Sequence, residues 1–315
     1  MNKTFIYLVP SKRSSYYKTR NEYFIIDELR KLGHQVHVIS SFYYLQIRRL
    51  KKTGTVDGLI FNSLKLIYPR HNILKWARHN KLPVYWWYFD TATLSEKRQH
   101  RVIETAKLVD VFFNKDKPQF EQYRQAGINP IWLDQGVPPA CESQSRNAPK
   151  FELGFFGSSH AIHGNRLTLL KKLDQQYSLV IYTPDISKFN SAGFNNVRPA
   201  VSQSSIGKAV SEIKIVLVLN SAKNTAYCWS DRIHLMIGSG AFTLVEYLAG
   251  LDETYTDEQH CIYFSNNTEL VEKIEFYLND DKLDIRSTVA NNGYHWANTN
   301  HSYTNRTMEF LEAIL

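Results

Sequence analysis

Three features of the sequence predict an α/β protein built from two doubly wound domains. Short apolar runs alternate with amphipathic stretches, a polar and proline-marked segment interrupts them, and the alternation then starts afresh. The charge balance also changes sign across that break. Residues 1–140 hold 23 lysines and arginines against 11 acidic residues, whereas residues 141–315 hold 15 against 19.

The first run, Phe5–Val9, is apolar throughout, as a strand buried on both faces should be. Arg20–Leu32 follows with Tyr23, Phe24, Ile26, Leu29 and Leu32 at helical spacing, and Gly33 supplies a C-cap. Gln35–Ile39 reads as the next strand. Strand, helix and strand joined by a short turn make a right-handed crossover and hence a parallel sheet. Gly58–Phe61, Val84–Phe89, Val109–Phe113 and Pro130–Leu133 extend it.

The pattern breaks at Gly136-Val137-Pro138-Pro139 and stays polar through Glu142–Pro149, the composition of a linker. The second series then reads as strands at Leu153–Phe156, Ser178–Tyr182, Ile213–Leu219, Ala241–Val245 and Cys261–Phe264. Helices are expected at Leu167–Leu173, Ser230–Ile237, Glu269–Leu278, Asp284–Trp296 and Tyr303–Leu315. The predicted domains are therefore 1–140 and 150–315. The second includes the C-terminal helix, which has the option of returning to the first. Two such Rossmann-like domains would face each other across a cleft, with ligands at the carboxyl ends of the strands.

Composition and missing motifs remove several function classes. With 315 residues, 43% hydrophobic and 22% charged, the chain can bury a large core and is not a disordered protein. No run of eighteen apolar residues offers a membrane span. The opening Met1–Pro10 is too short an apolar stretch for a signal peptide, and a reducing cytoplasm is the expected location. Cys141, Cys228 and Cys261 are far apart and include no C-x-x-C, so neither a zinc knuckle nor a disulfide framework is expected. The histidine pairs His34/His37 and His160/His163 have no local carboxylate or thiol beside them, so no metal site is predicted. G-x-G-x-x-G is absent after Val9 and after Phe156, and there is no Walker sequence, which disfavours classical dinucleotide binding and P-loop hydrolysis.

What remains is a set of anion-binding candidates. Gly157-Ser158-Ser159 follows a strand and precedes the helix of Arg166; it is either a phosphate cradle or an ordinary strand–helix turn. At Tyr227–His234 a helix opens, with Ser230 or Asp231 as cap and Arg232 in the first turn; an anion site or a plain capped helix fits equally. Gly238-Ser239-Gly240-Ala241 permits a tight turn and close backbone approach. In the first domain Asp90 closes the aromatic strand Val84–Phe89. It is a candidate site acid beside a sugar or base platform, or else the cap of a helix starting near Thr91–Ser95. The basic, aromatic stretch Ser41–Lys52 reads as a solvated helix or as a contact for phosphates or an anionic membrane.

The order and spacing of several of these residues resemble a known family. Phe155-Phe156-Gly157-Ser158, Arg166 and Ile215–Asn220 form one part. Trp229–Arg232, Gly238–Phe242, Gly250–Glu253 and Glu269-Leu270 form the other, closing with Asn292-Gly293, His301-Ser302-Tyr303 and Arg306. Together they are similar to the glycosyltransferases of the spore-maturation-protein type, which belong with the two-Rossmann-domain (GT-B) group. The likeness is strong over about residues 150–310 and holds in pattern only before that. It implies a nucleotide-sugar donor, UDP-sugar by preference, on the second domain and an acceptor on the first, with no covalently bound cofactor. Carried over residue by residue, Gly157, Ser158, Ser159, Arg166, Ser230 and Arg232 would surround the diphosphate. Asn220, Gly240 and Glu253 complete the donor set, and Arg166 and Arg232 would be catalytic. Asp90, read from its strand end in the first domain, is the third catalytic candidate, orienting the acceptor or assisting as base. One departure stands out. Alignment on Gly240 puts Tyr227 and Leu235 where the broader retaining group carries two glutamates, which puts ribose recognition by the second in doubt.

The acceptor is read from charge. The basic first domain, with Lys12, Arg13 and Arg20 after the first strand, suits a polyanion. The Trp229-Ser230-Asp231-Arg232 variant resembles phage-encoded sequences, so the expected acceptor is duplex DNA bearing a hydroxymethylated base. Tyr16, Tyr17, Trp86 or Trp87 would receive the base near Asp90. A lipid or envelope polymer at an anionic membrane is the second expectation, and a non-catalytic nucleotide-sugar or polyanion-binding protein the third.

Overall fold

The computed structural model describes residues 2–9, 20–40, 47, 49–50, 54, 56–64, 71–91, 95–139, 149–159, 166–220 and 225–315. It divides into two compact units, Met1–Gln135 with Tyr303–Leu315, and Gly136–Ser302.

The first unit is a parallel sheet of β1 (Thr4–Val9), β2 (Gln35–Ser40), β3 (Gly58–Phe61), β4 (Val84–Tyr88), β5 (Val111–Asn114) and β6 (Pro130–Trp132), in the order β2-β1-β3-β4-β5-β6. Side chains alternate between its faces, as strand geometry requires. Trp86 and Tyr88 of β4 join Phe61 and Phe112 in one core, under α2 (His71–His79), α3 (Glu96–Ala106) and α4 (Phe120–Gln125). Tyr85 and Trp87 join Phe5, Tyr7 and Phe113 on the other face. That face is covered by α1 (Asn21–Lys31) and by α11 (Tyr303–Ile314), the last helix of the chain. Gly33 follows α1 with φ +88°, the conformation expected of its cap.

The return of α11 changes the expected division, which kept the C-terminal helix with residues 150–315. Phe310 is completely buried, stacked on Trp87 at 5.7 Å and packed against Phe113 at 4.9 Å. Tyr303 stacks on Phe24, and the Thr304 hydroxyl donates to the buried Glu28 carboxylate at 2.7 Å. The apolar face of α11 states that it docks, but helical periodicity does not name the sheet. Thr304→Val is expected to lower the unfolding free energy by about 1.5 kcal/mol, the low end for a hydrogen bond to a charged group. Denaturant titration reads this as a lower midpoint at unchanged slope; an unmoved midpoint would contradict the docking.

The second unit is again parallel. Its strands are β7 (Phe151–Phe156), β8 (Leu179–Thr183), β9 (Val197–Pro199), β10 (Ile213–Val218), β11 (Thr243–Glu246) and β12 (Ile262–Phe264), in the order β12-β11-β10-β7-β8-β9. The helices are α5 (Arg166–Gln176), α6 (Ile186–Ser191), α7 (Gln203–Ser211), α8 (Arg232–Gly238), α9 (Asn267–Leu278) and α10 (Leu283–Asn300). The ends of the unit lie side by side: the Val137 N–H donates to the His301 carbonyl at 2.7 Å, and Val137 and Ser302 form a parallel bridge. Among the described residues no helix is long and apolar enough to cross a membrane.

Candidate active site

In the second sheet β7 and β10 are neighbours, yet the chain leaves β7 toward β8 and β9 and leaves β10 toward β11 and β12. Such a reversal opens a crevice outside the carboxyl ends of the two central strands, where ligands of doubly wound sheets bind. Gly157 leaves β7 at this point, Leu219 and Asn220 leave β10, and Glu246 ends β11 beside them.

Arg166 spans the reversal. It opens α5, is 5% exposed, and donates from Nη2 to the Leu219 carbonyl at 2.8 Å. Its guanidinium lies over the Phe155 ring, 5.4 Å from the centroid, and its Nε and Nη1 have no hydrogen-bond partner among the described residues. Burial, then the like charge of Arg232, push the group down to about 10, while Glu246 opposes them. Arg166 is therefore still a cation at neutral pH. A buried cation with two unused donors is costly, and such groups are rare outside sites that bind something.

Arg232 opens α8 and is half-buried, and its Nη1 is likewise buried without a partner among the described residues. A Cβ placed on Gly157 would sit 3.3 Å from that nitrogen and 2.7 Å from the Phe155 ring. A glycine is needed there so that the strand exit and the guanidinium can approach each other. The structure thus brings Gly157, Arg166 and Arg232 together.

Asn220 is 3% exposed and ties the surroundings together. Its N–H donates to Glu246 Oε2 at 2.8 Å and its Nδ2 to the Glu246 carbonyl at 2.6 Å. Its Oδ1 accepts the Ser230 N–H at 3.2 Å. The helix start differs from expectation. α8 begins at Arg232, Asp231 makes no capping bond, and Ser230 Oγ accepts the Arg232 N–H only at 3.4 Å. With seven residues and no side-chain cap, α8 is a weaker candidate for anion recognition than the two guanidinium groups.

Other expected donor residues take different places. Ser158 is half-buried in the turn after β7. Ser159 does not present its donors, because Asp185 Oδ2 accepts both its N–H at 2.8 Å and its hydroxyl at 3.0 Å. Gly240, at φ +77°, closes the turn between α8 and β11. Glu253 is exposed and accepts a hydrogen bond from Tyr227, the residue standing where the first glutamate of the broader group would be.

In the first unit Asp90 lies exposed two residues beyond β4, at the carboxyl edge of that sheet. Asn62 donates to the Trp87 carbonyl at 2.8 Å, and Asn114 donates to the carbonyls of Tyr88 at 2.9 Å and Asp90 at 3.3 Å, so the strand exit is held from both sides. Asp90 does not cap the next helix; the Ser95 side chain does, accepting the Arg98 N–H at 3.2 Å. Trp87 cannot be a base platform, since it is fully buried against Phe310, and Trp86 is equally buried. Arg20 pairs with the buried Glu22 carboxylate through Nε at 3.1 Å and Nη2 at 2.9 Å. Lys12, Arg13, Tyr16 and Tyr17 lie outside the described residues, as do most of Ser41–Lys52 and the pair His160 and His163.

Sequence reading overlooked Asn62, Asn114, Asp185 and Glu246. All four share one signal, a polar residue at or just beyond the end of an apolar strand.

Residues 165–312 match the glycosyl transferase-like family. This part of the chain is a glycosyltransferase domain. No curated protein matches the chain in sequence. Solved glycosyltransferases share its fold over nearly the whole length. An alpha-glucosyltransferase in complex with UDP and a 13-mer DNA containing an HMU base has a TM-score of 0.73 at 13% identity, covering 100% of both chains. HepE of Anabaena, in complex with UDP and glucose, has a TM-score of 0.70 at 11% identity, covering 99% of both. A sucrose-phosphate synthase from Thermosynechococcus elongatus gives 0.69 at 9% identity, covering 99% of this chain and 98% of that one. At these identities the likeness establishes the GT-B fold of the glycosyltransferase.

Proposed function

We propose that this glycosyltransferase moves a sugar from a UDP-sugar to a hydroxyl group, and that the acceptor is a hydroxymethylated base in duplex DNA. The observation that carries the donor half is the pair Arg166 and Arg232 at the β7/β10 reversal. Each has buried N–H groups without a partner among the described residues, Arg232 Nη1 lies beside Gly157, and Arg166 lies over the adjoining Phe155 ring. A diphosphate placed there gains charge-assisted hydrogen bonds and relieves a buried cation. Asn220 and Ser230 adjoin Arg232 through hydrogen bonds, and Gly157 and Ser158 are proposed to complete the donor lining. The UDP complexes of the alpha-glucosyltransferase and of HepE support uracil as the base.

Transfer breaks the bond between the anomeric carbon and the diphosphate oxygen. Negative charge grows on the leaving phosphate while the sugar becomes oxocarbenium-like, so fixed cations aimed at that oxygen are the main catalytic requirement. Arg166 and Arg232 meet it as fixed charges, without a metal in this reading. The acceptor oxygen then bonds the anomeric carbon. In the retaining course its proton passes to the departing phosphate, and Asp90 orients the acceptor.

The DNA half rests on the basic excess of residues 1–140 and on the DNA bound by a glycosyltransferase of the same fold. Labelled-sugar transfer onto hydroxymethylated and plain duplexes tests it, beside a salt titration of duplex binding. Each phosphate contact adds about −0.9 to the slope of log affinity on log salt. Replacing Lys12 and Arg13 with alanine together is therefore expected to flatten the slope by about two units. Failure to bind duplex at low salt, with binding to anionic vesicles instead, would contradict the DNA acceptor and favour a membrane one. Binding of UDP-sugar with neither transfer nor hydrolysis would favour the non-catalytic alternative.

A further inference from the structure

The site contains two arginines, but the two glutamates of the broader retaining group are absent, with Tyr227 and Leu235 in their positions. A carboxylate is nevertheless present, supplied from a different element. Glu246, the last residue of β11, accepts the Asn220 N–H on its side chain and the Asn220 amide on its carbonyl, so Asn220 is held at both ends. The remaining oxygen of Asn220 receives the Ser230 N–H, and the Ser230 hydroxyl receives the N–H of Arg232. An unbroken chain of hydrogen bonds thus runs from β11 across the end of β10 to the first residue of α8. That residue carries one of the two unpartnered guanidinium groups.

We infer that Glu246 is the positioning residue of the donor site: through Asn220 it fixes the start of α8 and so aims Arg232 at the diphosphate. The inference rests on the donor reading given above and adds to it the residue that sets the geometry. The position is well suited physically. α8 has no side-chain cap at Asp231, and the Asn220–Ser230 bond joins the Tyr227 N–H to Ala249 carbonyl bond and the buried Trp229 in holding the segment before it. The negative charge of Glu246 also offsets the buried cation of Arg166. Because Glu246 sits on a strand rather than a loop, the aim is referred to the rigid sheet.

Hydrogen bond and charge separate in two variants. Glu246→Gln keeps an acceptor for the Asn220 N–H and loses the charge; Glu246→Ala loses both. UDP binding is measured by calorimetry, and backbone exchange at Ser230–Arg232 by hydrogen–deuterium exchange of the unliganded protein. Glu246→Ala is expected to weaken UDP at least about tenfold and to speed exchange at those amides about tenfold, with the β10 and β11 amides unchanged. Glu246→Gln should keep wild-type exchange and bind UDP as well as wild type or more tightly, since a negative charge near the diphosphate is gone. Asn220→Ala, which also removes the bond to Ser230, should do at least as much damage as Glu246→Ala, and the double variant should be no worse than Asn220→Ala, because they act along one path.

Wild-type exchange in Glu246→Ala, or equal damage in Glu246→Gln and Glu246→Ala, would overturn the inference. If the wild-type protein does not bind UDP, the donor reading fails. The exchange arm still decides in that case whether Glu246 holds the start of α8.

Discussion

Arg232→Ala is expected to cost about 2–4 kcal/mol of transition-state stabilisation, a loss of about thirty- to nine-hundredfold in kcat/KM for sugar transfer. The size follows from position. Arg232 Nη1 is buried and without a partner beside Gly157, so its full hydrogen-bonding capacity is available to charge that develops only as the sugar leaves. An interaction that strengthens in the transition state appears mainly in turnover, so kcat should fall more than KM rises. The arginine opens a short helix and no ion pair involves it among the described residues, so the melting temperature should stay within a few degrees of wild type. A folded Arg232→Ala protein with undiminished transfer would remove this residue from the diphosphate site. Arg232→Lys restores charge but not the fork of donors and should recover only part of the loss.

Arg166→Met carries the second large effect, and the two readouts move in opposite directions. Methionine keeps the unbranched stem against Phe155 and removes a buried cation whose Nε and Nη1 have no partner. The Leu219 carbonyl loses one hydrogen bond, worth about 1 kcal/mol. Removing an uncompensated buried charge and its repulsion from Arg232 outweighs this, so the unliganded variant is expected to be more stable than wild type by about 1–3 kcal/mol. UDP affinity should fall by about 2–4 kcal/mol, and the rise in melting temperature that UDP gives the wild type by mass action should disappear. Thermal melts with and without UDP measure both quantities. A variant that is less stable and still shifted by UDP would mean that Arg166 serves the fold and not the ligand.

Most of the architecture was legible in the sequence because buried parallel strands write themselves as apolar runs. Gly58–Phe61 is bounded as expected, and the other expected strands are displaced by one or two residues. β9 escaped because it is three residues long, ends in Pro199 and occupies a sheet edge, where half-exposed residues leave no apolar run. α6 escaped for a related reason: six residues with only Phe189 buried carry no period. The site divides in the same way. Arg166, Arg232, Asn220 and Gly157 flank strand and helix ends whose order is fixed by the fold, so their place at those ends is readable from the sequence. Ser159 and Trp87 were misread because their surroundings come from distant segments, Asp185 in one case and Phe310 in the other. Glu246 was hidden by the same non-locality, since its partner Asn220 lies on the neighbouring strand's exit.

The most direct test of the donor site is a calorimetric titration of the wild-type protein with UDP and, separately, with uridine. Two guanidinium groups waiting for a diphosphate predict that UDP binds and that uridine binds at least about a hundredfold more weakly, the scale of losing two charge-assisted hydrogen bonds. Equal affinity for the two ligands, or no binding of UDP, would contradict the assignment of Arg166 and Arg232 to a diphosphate.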